Sequence, residues 1–203
     1  MKSVVKNTVI ITAITLIAGV LLGLVYEITK DPIAKQNELA KQQACQAVYA
    51  DADSFEAILS EEDAELQAYL SESGYNAQTI DEVMEAKDAS GNAIGYVLTV
   101  TSHEGYGGDI QFTLGVTNEG TVNGISFLSI SETAGLGMNA QKEEFKGQYA
   151  GKSVEAFSVT KTGSASDSEI DAISGATVTS NAVTNGVNAG LSAVEYLKGG
   201  NNG

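Results

Sequence analysis

The first thirty residues combine an apolar run with a positively charged start. Residues 9–25 carry no charged side chain and consist mostly of Ile, Leu, Val and Ala, a length near the lower limit for a helix that crosses the hydrocarbon core of a membrane. Lys2 and Lys6 precede the run without any acid, which predicts a cytoplasmic N-terminus and an extracytoplasmic remainder. A cleaved signal peptide is the alternative, but the run is long for one and no small-x-small cleavage site follows before Tyr26.

A helix-favouring segment and an acidic region follow the apolar run. Asp31-Pro32 predicts the start of a second helix, because proline suits the first helical turn. Residues 33–49 place apolar side chains on roughly one face of this helix. Residues 51–73 are acidic and rich in alanine, and they predict two short surface helices, over residues 55–60 and 61–71.

From residue 79 the pattern changes to the alternation of β-strands. Strands are predicted over residues 83–86, 94–101, 109–117 and 121–130, and the short Asn- and Gly-containing turns between them are typical of an antiparallel meander. A short exposed helix over 139–149, a strand over 154–161 and a closing helix over 179–198 complete the chain. This order predicts an α+β fold, a mostly antiparallel sheet packed by helices, preceded by one transmembrane helix.

The same patterns divide the chain into four parts. Residues 1–28 are predicted to form the transmembrane anchor and residues 29–78 a helical linker region. Residues 79–198 are predicted to form one globular domain, and residues 199–203 a disordered tail.

The charge of the chain limits its partners. Lys2 and Lys6 are two of 11 basic residues, so the chain beyond residue 25 has nine lysines against 26 acids. Such a surface repels nucleic acid and anionic lipid headgroups, and it predicts no nucleic-acid partner. Arginine is absent, so a phosphorylated ligand would be held by helix ends, lysines or a covalent bond rather than by a guanidinium fork.

The sequence contains little evidence of a metal site or of a reactive thiol. The single cysteine, Cys45, excludes an internal disulfide and a multi-thiolate metal site, and we interpret it as a small buried residue. The single histidine, His103, and the paired acids at 61–63 and 143–144 are interpreted as surface residues. The sequence therefore predicts no catalytic acid or base and no metal ligand.

Small and hydroxyl residues precede the closing helix, over residues 171–180. Gly175 allows backbone conformations that other residues resist, and Ala176 leaves the approach to the backbone open. A helix N-terminus presents unpaired amides and a partial positive charge, which suit a phosphate. The residues themselves leave two interpretations open, a phosphate-linked group on a hydroxyl and a capped helix. The candidate capping residues are Ser174, Thr177, Thr179 and Ser180.

Two motifs carry a resemblance to a known family. Residues 171–177, with Asp171, Ser174, Gly175, Ala176 and Thr177, match the pattern Asp-x-x-Ser/Thr-Gly-Ala-Thr of FMN-binding domains that carry flavin covalently on the final threonine. Residues 132–137, Glu-Thr-Ala-Gly-Leu-Gly, resemble the Glu-Thr-Pro-Gly-Leu-Gly loop that lies by the flavin in that family. With its N-terminal anchor the chain resembles the FMN-binding G subunit of the Rnf ion-translocating electron transport complex. An FMN-binding subunit of the Na⁺-translocating NADH:quinone oxidoreductase shares this domain family.

The resemblance implies a phosphodiester between the Thr177 hydroxyl and FMN, installed by a separate flavin transferase. The domain over 79–198 is then an FMN-binding domain. Asp171 is expected to serve the transferase or the turn. The other residues implied at the cofactor are Ser174, Gly175, Ala176, Thr133, Gly135 and Leu136.

The resemblance also implies the function. The chain would be a single-pass protein of the cell (inner) membrane, with its FMN domain on the extracytoplasmic side. There it would carry electrons among the other membrane subunits of an Rnf-type ferredoxin:NAD oxidoreductase complex, without being a complete enzyme. The alternatives are the equivalent subunit of the NADH:quinone pump, a stand-alone extracellular flavoprotein, and a non-redox membrane-tethered binding module whose threonine motif only caps a helix.

Overall fold

The computed structural model describes residues 2–60 and 63–200. It divides the chain into two compact units, Met1–Ala40 and Lys41–Gly203. Helix α1, Lys2–Val48, provides the described part of the first unit, and the apolar side chains there are exposed. By length and composition this helix can cross a membrane.

The sequence predicted that a second helix starts at Asp31-Pro32. In the structure Pro32 lies inside α1 instead. Proline removes one amide donor from a helix. The helix-favouring residues on both sides nevertheless continue the ladder of backbone hydrogen bonds past that position.

The second unit is built on a five-stranded antiparallel sheet in the order β1-β2-β3-β4-β5. The predicted meander is thus confirmed, as is the α+β class. Its strands are β1 (Ser54–Ser60), β2 (Gln78–Lys87), β3 (Ala93–Ser102), β4 (Ile110–Thr117) and β5 (Val122–Ser129).

Strand β1 corrects one prediction, since residues 55–60 were expected to form a short helix. The segment instead pairs with β2, with Phe55 opposite Ala86. Leu59 packs against the main core. Local composition favoured a helix, but pairing with an open sheet edge and the partial burial of Phe55 and Leu59 override such weak preferences.

Helix α2, Ala64–Glu72, follows β1 and corresponds to the second predicted helix. Asp63 caps it, because its carboxylate accepts a hydrogen bond from the Leu66 amide at 2.9 Å. Glu61 and Glu62, part of the predicted helix and of the predicted acidic surface, lie outside the described residues.

Helices pack on both faces of the sheet. Helix α4, Thr177–Gly200, packs on the face that carries Val100, Phe112 and Leu114. The last turns of α1 cover part of the other face, where Val48 and the buried Cys45 pack with Val97. The prediction that Cys45 is a small buried residue is confirmed.

The region between β5 and α4 is less regular than predicted. The exposed helix expected over 139–149 is a 3₁₀ turn (Gly137–Gln141), the one-turn helix α3 (Glu143–Lys146) and a second 3₁₀ turn (Gly147–Tyr149). It is not fully exposed, because Phe145 and Tyr149 are buried and their rings meet edge to face. These apolar side chains turn the segment into a cover for the core.

The strand predicted over 154–161 shrinks to β6, Ser158–Thr160, which pairs in parallel with β7, Glu169–Asp171. The backbone of Phe157, just before β6, forms its hydrogen bonds with a side chain rather than with another strand. Its amide donates to Asn188 Oδ1 at 2.8 Å, and its carbonyl accepts from Asn188 Nδ2 at 2.9 Å. A buried side chain of α4 thus takes the place of a strand partner.

Helix α4 begins two residues before the predicted position 179, at Thr177. It continues through Gly199 and Gly200, which the sequence assigned to a disordered tail. The other predicted tail residues, 201–203, lie outside the described residues.

Candidate cofactor-binding site

A cavity of about 610 Å³ lies at the N-terminal end of α4. Three segments that are far apart in sequence meet around it: the glycine-rich loop before β4, the loop after β5 and the first turn of α4. The lining residues are Tyr106, Glu132, Thr133, Leu136, Gly137, Gly175, Ala176, Thr177, Val178 and Thr179.

A tight turn leads into α4. Gly175 adopts a φ of +75°, in the left-handed region that favours glycine. The Ala176 amide closes the turn on the Ile173 carbonyl at 2.9 Å. The buried Ser180 hydroxyl accepts from the Ile173 amide at 3.0 Å and donates to the Ala176 carbonyl at 2.9 Å. Ser180 therefore ties the turn to the helix that it precedes.

Thr177 is the first residue of α4, and its side chain is half-buried at the cavity wall. Amides in the first turn of a helix have no carbonyl partner within that helix, and the helix dipole places partial positive charge there. The position thus combines a hydroxyl with an environment that stabilises a negatively charged group.

The loop over residues 132–137 forms the facing wall. Gly135 has a φ of +76°, and the amides of Leu136 and Met138 donate to the Thr133 carbonyl at 3.1 and 3.2 Å. These bonds close the loop although Ala134 replaces the family's proline. The Leu136 side chain, 43% exposed, remains available to the cavity.

Gly137 brings this loop against α4. A Cβ atom at this position would lie 2.7 Å from both Glu132 Oε2 and Thr179 Oγ1. Only glycine therefore allows the carboxylate, the hydroxyl and the loop backbone to meet at the base of the cavity.

Glu132 and Tyr106 are cavity residues that the sequence reasoning did not select. Glu132 is buried, and its Oε1 accepts a hydrogen bond from the Tyr106 amide at 2.8 Å. Since the two residues are 26 positions apart, no local pattern could have paired them. Their place within a family-like loop and a glycine-rich loop was the available signal.

The structure brings five of the eight predicted site residues to the cavity, namely Thr133, Leu136, Gly175, Ala176 and Thr177. Gly135 and Ser174 shape the two loops without being part of the cavity wall. Asp171 lines a separate cavity of about 320 Å³.

The Asp171 backbone is held by one side chain. Its amide donates to Gln148 Oε1 at 2.7 Å, and its carbonyl accepts from Gln148 Nε2 at 3.3 Å. The Asp171 side chain is exposed. A protein that recognises this segment could therefore reach the carboxylate from solvent.

His103 lies at the surface, with its side chain 46% exposed. Its Nδ1 is 2.9 Å from Asp109 Oδ1 and its Nε2 is 3.1 Å from Thr79 Oγ1. Over residues 2–60 and 63–200 the structure contains no group of three His, Cys, Asp or Glu side chains that could hold a metal ion.

Comparison with known proteins identifies the family. Residues 1–48 match the RnfG N-terminal region, and residues 105–192 match the FMN-binding domain. The G subunit of the proton-translocating ferredoxin:NAD(+) oxidoreductase complex of Clostridium ljungdahlii is 35% identical over 192 residues, which cover 94% of this chain and 91% of that protein. The chain belongs to the RnfG family of ion-translocating oxidoreductase complexes.

Other RnfG proteins align as completely. The corresponding protein from the Na(+)-translocating ferredoxin:NAD(+) oxidoreductase complex of Acetobacterium woodii is 31% identical over 97% of this chain and 94% of that protein. The G subunit of an ion-translocating oxidoreductase complex of Methanosarcina acetivorans is 31% identical over 97% of this chain and 95% of that protein. The apolar N-terminal helix fits a membrane-anchored member of this family.

The geometry of the cavity fits the FMN that this domain family binds. Its volume lies within the usual range for cofactor sites, roughly 300–1,000 Å³. The N-terminus of α4 suits the phosphate end of the cofactor. The exposed apolar side chains of Leu136 and Val178 offer contact surface for an aromatic ring system.

Proposed function

We propose that this chain is the membrane-anchored, covalently flavinylated electron carrier of an Rnf-type ferredoxin:NAD oxidoreductase complex. The observation that carries the proposal is the position of Thr177. Thr177 is the first residue of α4. It lines a cavity of suitable size, which the second family-like loop also lines.

A covalent bond accounts for how the phosphate is retained. The chain has no arginine and is strongly acidic, so ionic binding of a phosphate would be weak. An ester at Thr177 keeps the remaining negative charge beside the amides of the first turn of α4, where the helix dipole stabilises it.

The attachment reaction is a phosphoryl transfer, in which one bond to phosphorus forms and another breaks. A bond forms between Thr177 Oγ1 and the phosphorus of the flavin, while a phosphoanhydride bond of a flavin dinucleotide donor breaks. The hydroxyl loses its proton, and the nucleotide monophosphate leaves. A separate flavin transferase performs this step, and the exposed Asp171 beside the turn is available for it to recognise.

FMN supplies the one-electron chemistry, and the protein supplies position and electrostatics. The turn at Ser174, Gly175 and Ala176 presents Thr177, while Thr133 and Leu136 would contact the ring from the opposite loop. Gly135 gives that loop its shape. Neighbouring subunits of the complex would supply and take up the electrons.

The anchor places this domain outside the cytoplasm. Lys2 and Lys6 precede the apolar run without an acid, whereas lysines and acids are mixed after it. By the positive-inside rule the N-terminus stays in the cytoplasm. Covalent attachment then prevents loss of flavin by dilution on the outer side.

The attachment is tested by co-expressing the full chain with a flavin transferase and examining the denatured protein on a gel. The wild-type band should fluoresce, and Thr177→Ala should abolish the fluorescence because the accepting hydroxyl is gone. Thr162→Ala is the matched control, since Thr162 is an exposed loop threonine away from the cavity. It should fluoresce like the wild type.

The same experiment distinguishes the proposed flavoprotein from the non-redox alternative. A non-redox binding module whose threonine only caps α4 would take up no flavin in any variant, and its helix would weaken in Thr177→Ala. Fluorescence that persists in a folded Thr177→Ala protein would refute the attachment site.

A further inference from the structure

Tyr106 is an unusually exposed aromatic residue at the rim of the cavity. Its side chain is 75% exposed although it lines the cavity wall. Most large apolar surface of this unit is buried, so this ring is available for a ligand to cover.

The backbone beneath this ring is fixed. The Tyr106 amide donates to the buried Glu132 carboxylate at 2.8 Å. A Cβ atom on Gly107 would lie 2.2 Å from the Ser131 carbonyl oxygen, so the glycine-rich loop packs directly on the chain that leads into the facing loop.

A second carboxylate fixes the start of the same loop. Glu104 Oε2 accepts from Gln78 Nε2 at 2.6 Å and from Asn185 Nδ2 at 2.7 Å. These bonds connect the loop to β2 and to α4. The loop is therefore held at both carboxylates while the Tyr106 side chain points to solvent and cavity, a pre-organised arrangement.

We propose that the phenol ring of Tyr106 lies against the ring system of bound FMN, and that Glu132 is the positioning residue that holds it there. The inference rests on the proposed function and adds a contact outside both sequence motifs of the site. Aromatic rings favour offset-stacked or edge-to-face contact with other ring systems. A flavin attached at Thr177 and directed into the cavity would cover the exposed Tyr106 ring.

Flavin emission tests this contact directly. A phenol in contact with an excited flavin quenches its emission by giving one electron and taking it back, whereas a phenyl ring does not. In the flavinylated full chain, Tyr106→Ala and Tyr106→Phe should both raise the emission per flavin several-fold. Tyr196→Phe is the matched control, since it makes the same chemical change outside the cavity lining, and its emission should equal the wild type.

The access of a dissolved quencher to the flavin provides a second measurement. It tests whether the Tyr106 ring covers the flavin, independently of whether its phenol quenches the emission. Acrylamide, an uncharged collisional quencher, should reach the flavin more readily in Tyr106→Ala than in Tyr106→Phe, because only the alanine variant uncovers the ring. Glu132→Ala should raise both the flavin emission and its quenching by acrylamide toward the values of Tyr106→Ala, although Tyr106 is present. Glu132→Gln, which keeps an acceptor oxygen for the Tyr106 amide, should restore them.

The outcomes are distinguishable. Unchanged emission and unchanged acrylamide quenching in flavinylated Tyr106→Ala would overturn this inference and leave the attachment at Thr177 intact. A wild-type chain that takes up no flavin would overturn the proposed function, and this inference with it. Equal effects of Glu132→Ala and Glu132→Gln would overturn the positioning role of Glu132.

Discussion

At the scale of single residues, the turn before Thr177 depends on a glycine whose replacement has a cost. Gly175 adopts a φ of +75°, and a Cβ atom there would lie 3.1 Å from Leu136 Cδ2. The residue therefore serves both the turn before Thr177 and the close approach of the facing loop.

Gly175→Ala should lower the free energy of unfolding by about 1 kcal/mol, the cost of a left-handed conformation for a residue with a Cβ. It should also reduce flavinylation, because the turn presents Thr177. Gly163→Ala is the matched control, since Gly163 also has a positive φ (+93°) but has open space around it. Denaturant titration should show a similar loss of stability for both variants. Equal flavinylation in both would contradict the role assigned to the turn.

Sequence reasoning selected most, but not all, of the site residues that lie in local motifs. Thr177, Gly175 and Leu136 lie in short patterns, so they could be selected before the structure was known. Ser180 could be named only as a candidate cap. The roles of Ser180, Glu132 and Tyr106 depend on contacts that form in the folded chain. Nothing in the composition around Tyr106 indicates that its amide meets a carboxylate 26 residues later.

At the scale of elements, the contact between α4 and the sheet sets the position of Thr177. Gly186 and Gly190 let the helix approach Phe112 and Leu114 closely, with a Cβ atom at Gly190 only 2.4 Å from Leu114 Cδ2. The spacing of apolar residues predicted this helix. The distance between helix and sheet could not be predicted, because it depends on which strand residues lie opposite the glycines.

Gly190→Ala should destabilise the fold by about 1–3 kcal/mol, the usual cost of overpacking a filled core. Gly199→Ala is the matched control on the same helix, since a Cβ atom there would contact nothing within 4 Å. It should be neutral or slightly stabilising, because alanine favours a helix more than glycine does. Denaturant titration of the full chain in detergent measures both. A neutral Gly190→Ala would contradict the described packing.

Tyr149, the last residue of the second 3₁₀ turn (Gly147–Tyr149), contacts α4 and makes stability depend on pH. Its hydroxyl lies 2.7 Å from Thr184 Oγ1, and burial raises the pKa of the Tyr149 phenol far above its ordinary value. In the unfolded chain this phenol ionises above about pH 10. Unfolding then releases a proton, and the free energy of unfolding falls as the pH rises further.

Tyr149→Phe should make this alkaline loss of stability shallower, and at neutral pH it should cost about 1 kcal/mol for the lost hydrogen bond. The loss should not vanish, since burial also raises the pKa of Tyr49 and Tyr75. Denaturant titrations from neutral to strongly alkaline pH measure the slope. An identical slope in wild type and variant would contradict the buried, neutral state of the phenol.

Strand β1 shows where element prediction failed. Residues 55–60 contain Glu, Ala and Leu, which favour a helix in isolation. The segment became a strand because β2 offers an edge for pairing and because Leu59 reaches the core. Pairing with a distant strand outweighs local preference, and this is information that a local pattern does not contain.

At the scale of the whole molecule, an apolar helix precedes a strongly acidic unit. The proposed orientation depends on Lys2 and Lys6 at the cytoplasmic end. An external protease added to intact cells should remove the domain beyond the anchor in the wild type. Protection of the domain from the protease would contradict the proposed orientation.

Two double variants test whether the lysines that flank the anchor determine its orientation. Lys2→Glu with Lys6→Glu should increase the protected fraction, because the positive N-terminal flank is lost. Lys30→Glu with Lys35→Glu removes the same number of lysines from the other flank and should leave the domain accessible. Equal behaviour of the two double variants would show that these lysines do not determine the orientation.

The central claim is that Thr177 carries the flavin, and peptide mass spectrometry of the full chain tests it most directly. Cleavage after Lys161 and Lys198 releases a peptide that contains the whole segment 171–180. We expect this peptide, from protein matured by a flavin transferase, to gain the mass of FMN less one water. Fragmentation should place that mass on Thr177. An unmodified peptide, or a flavin on Ser174, Thr179 or Ser180, would contradict the claim.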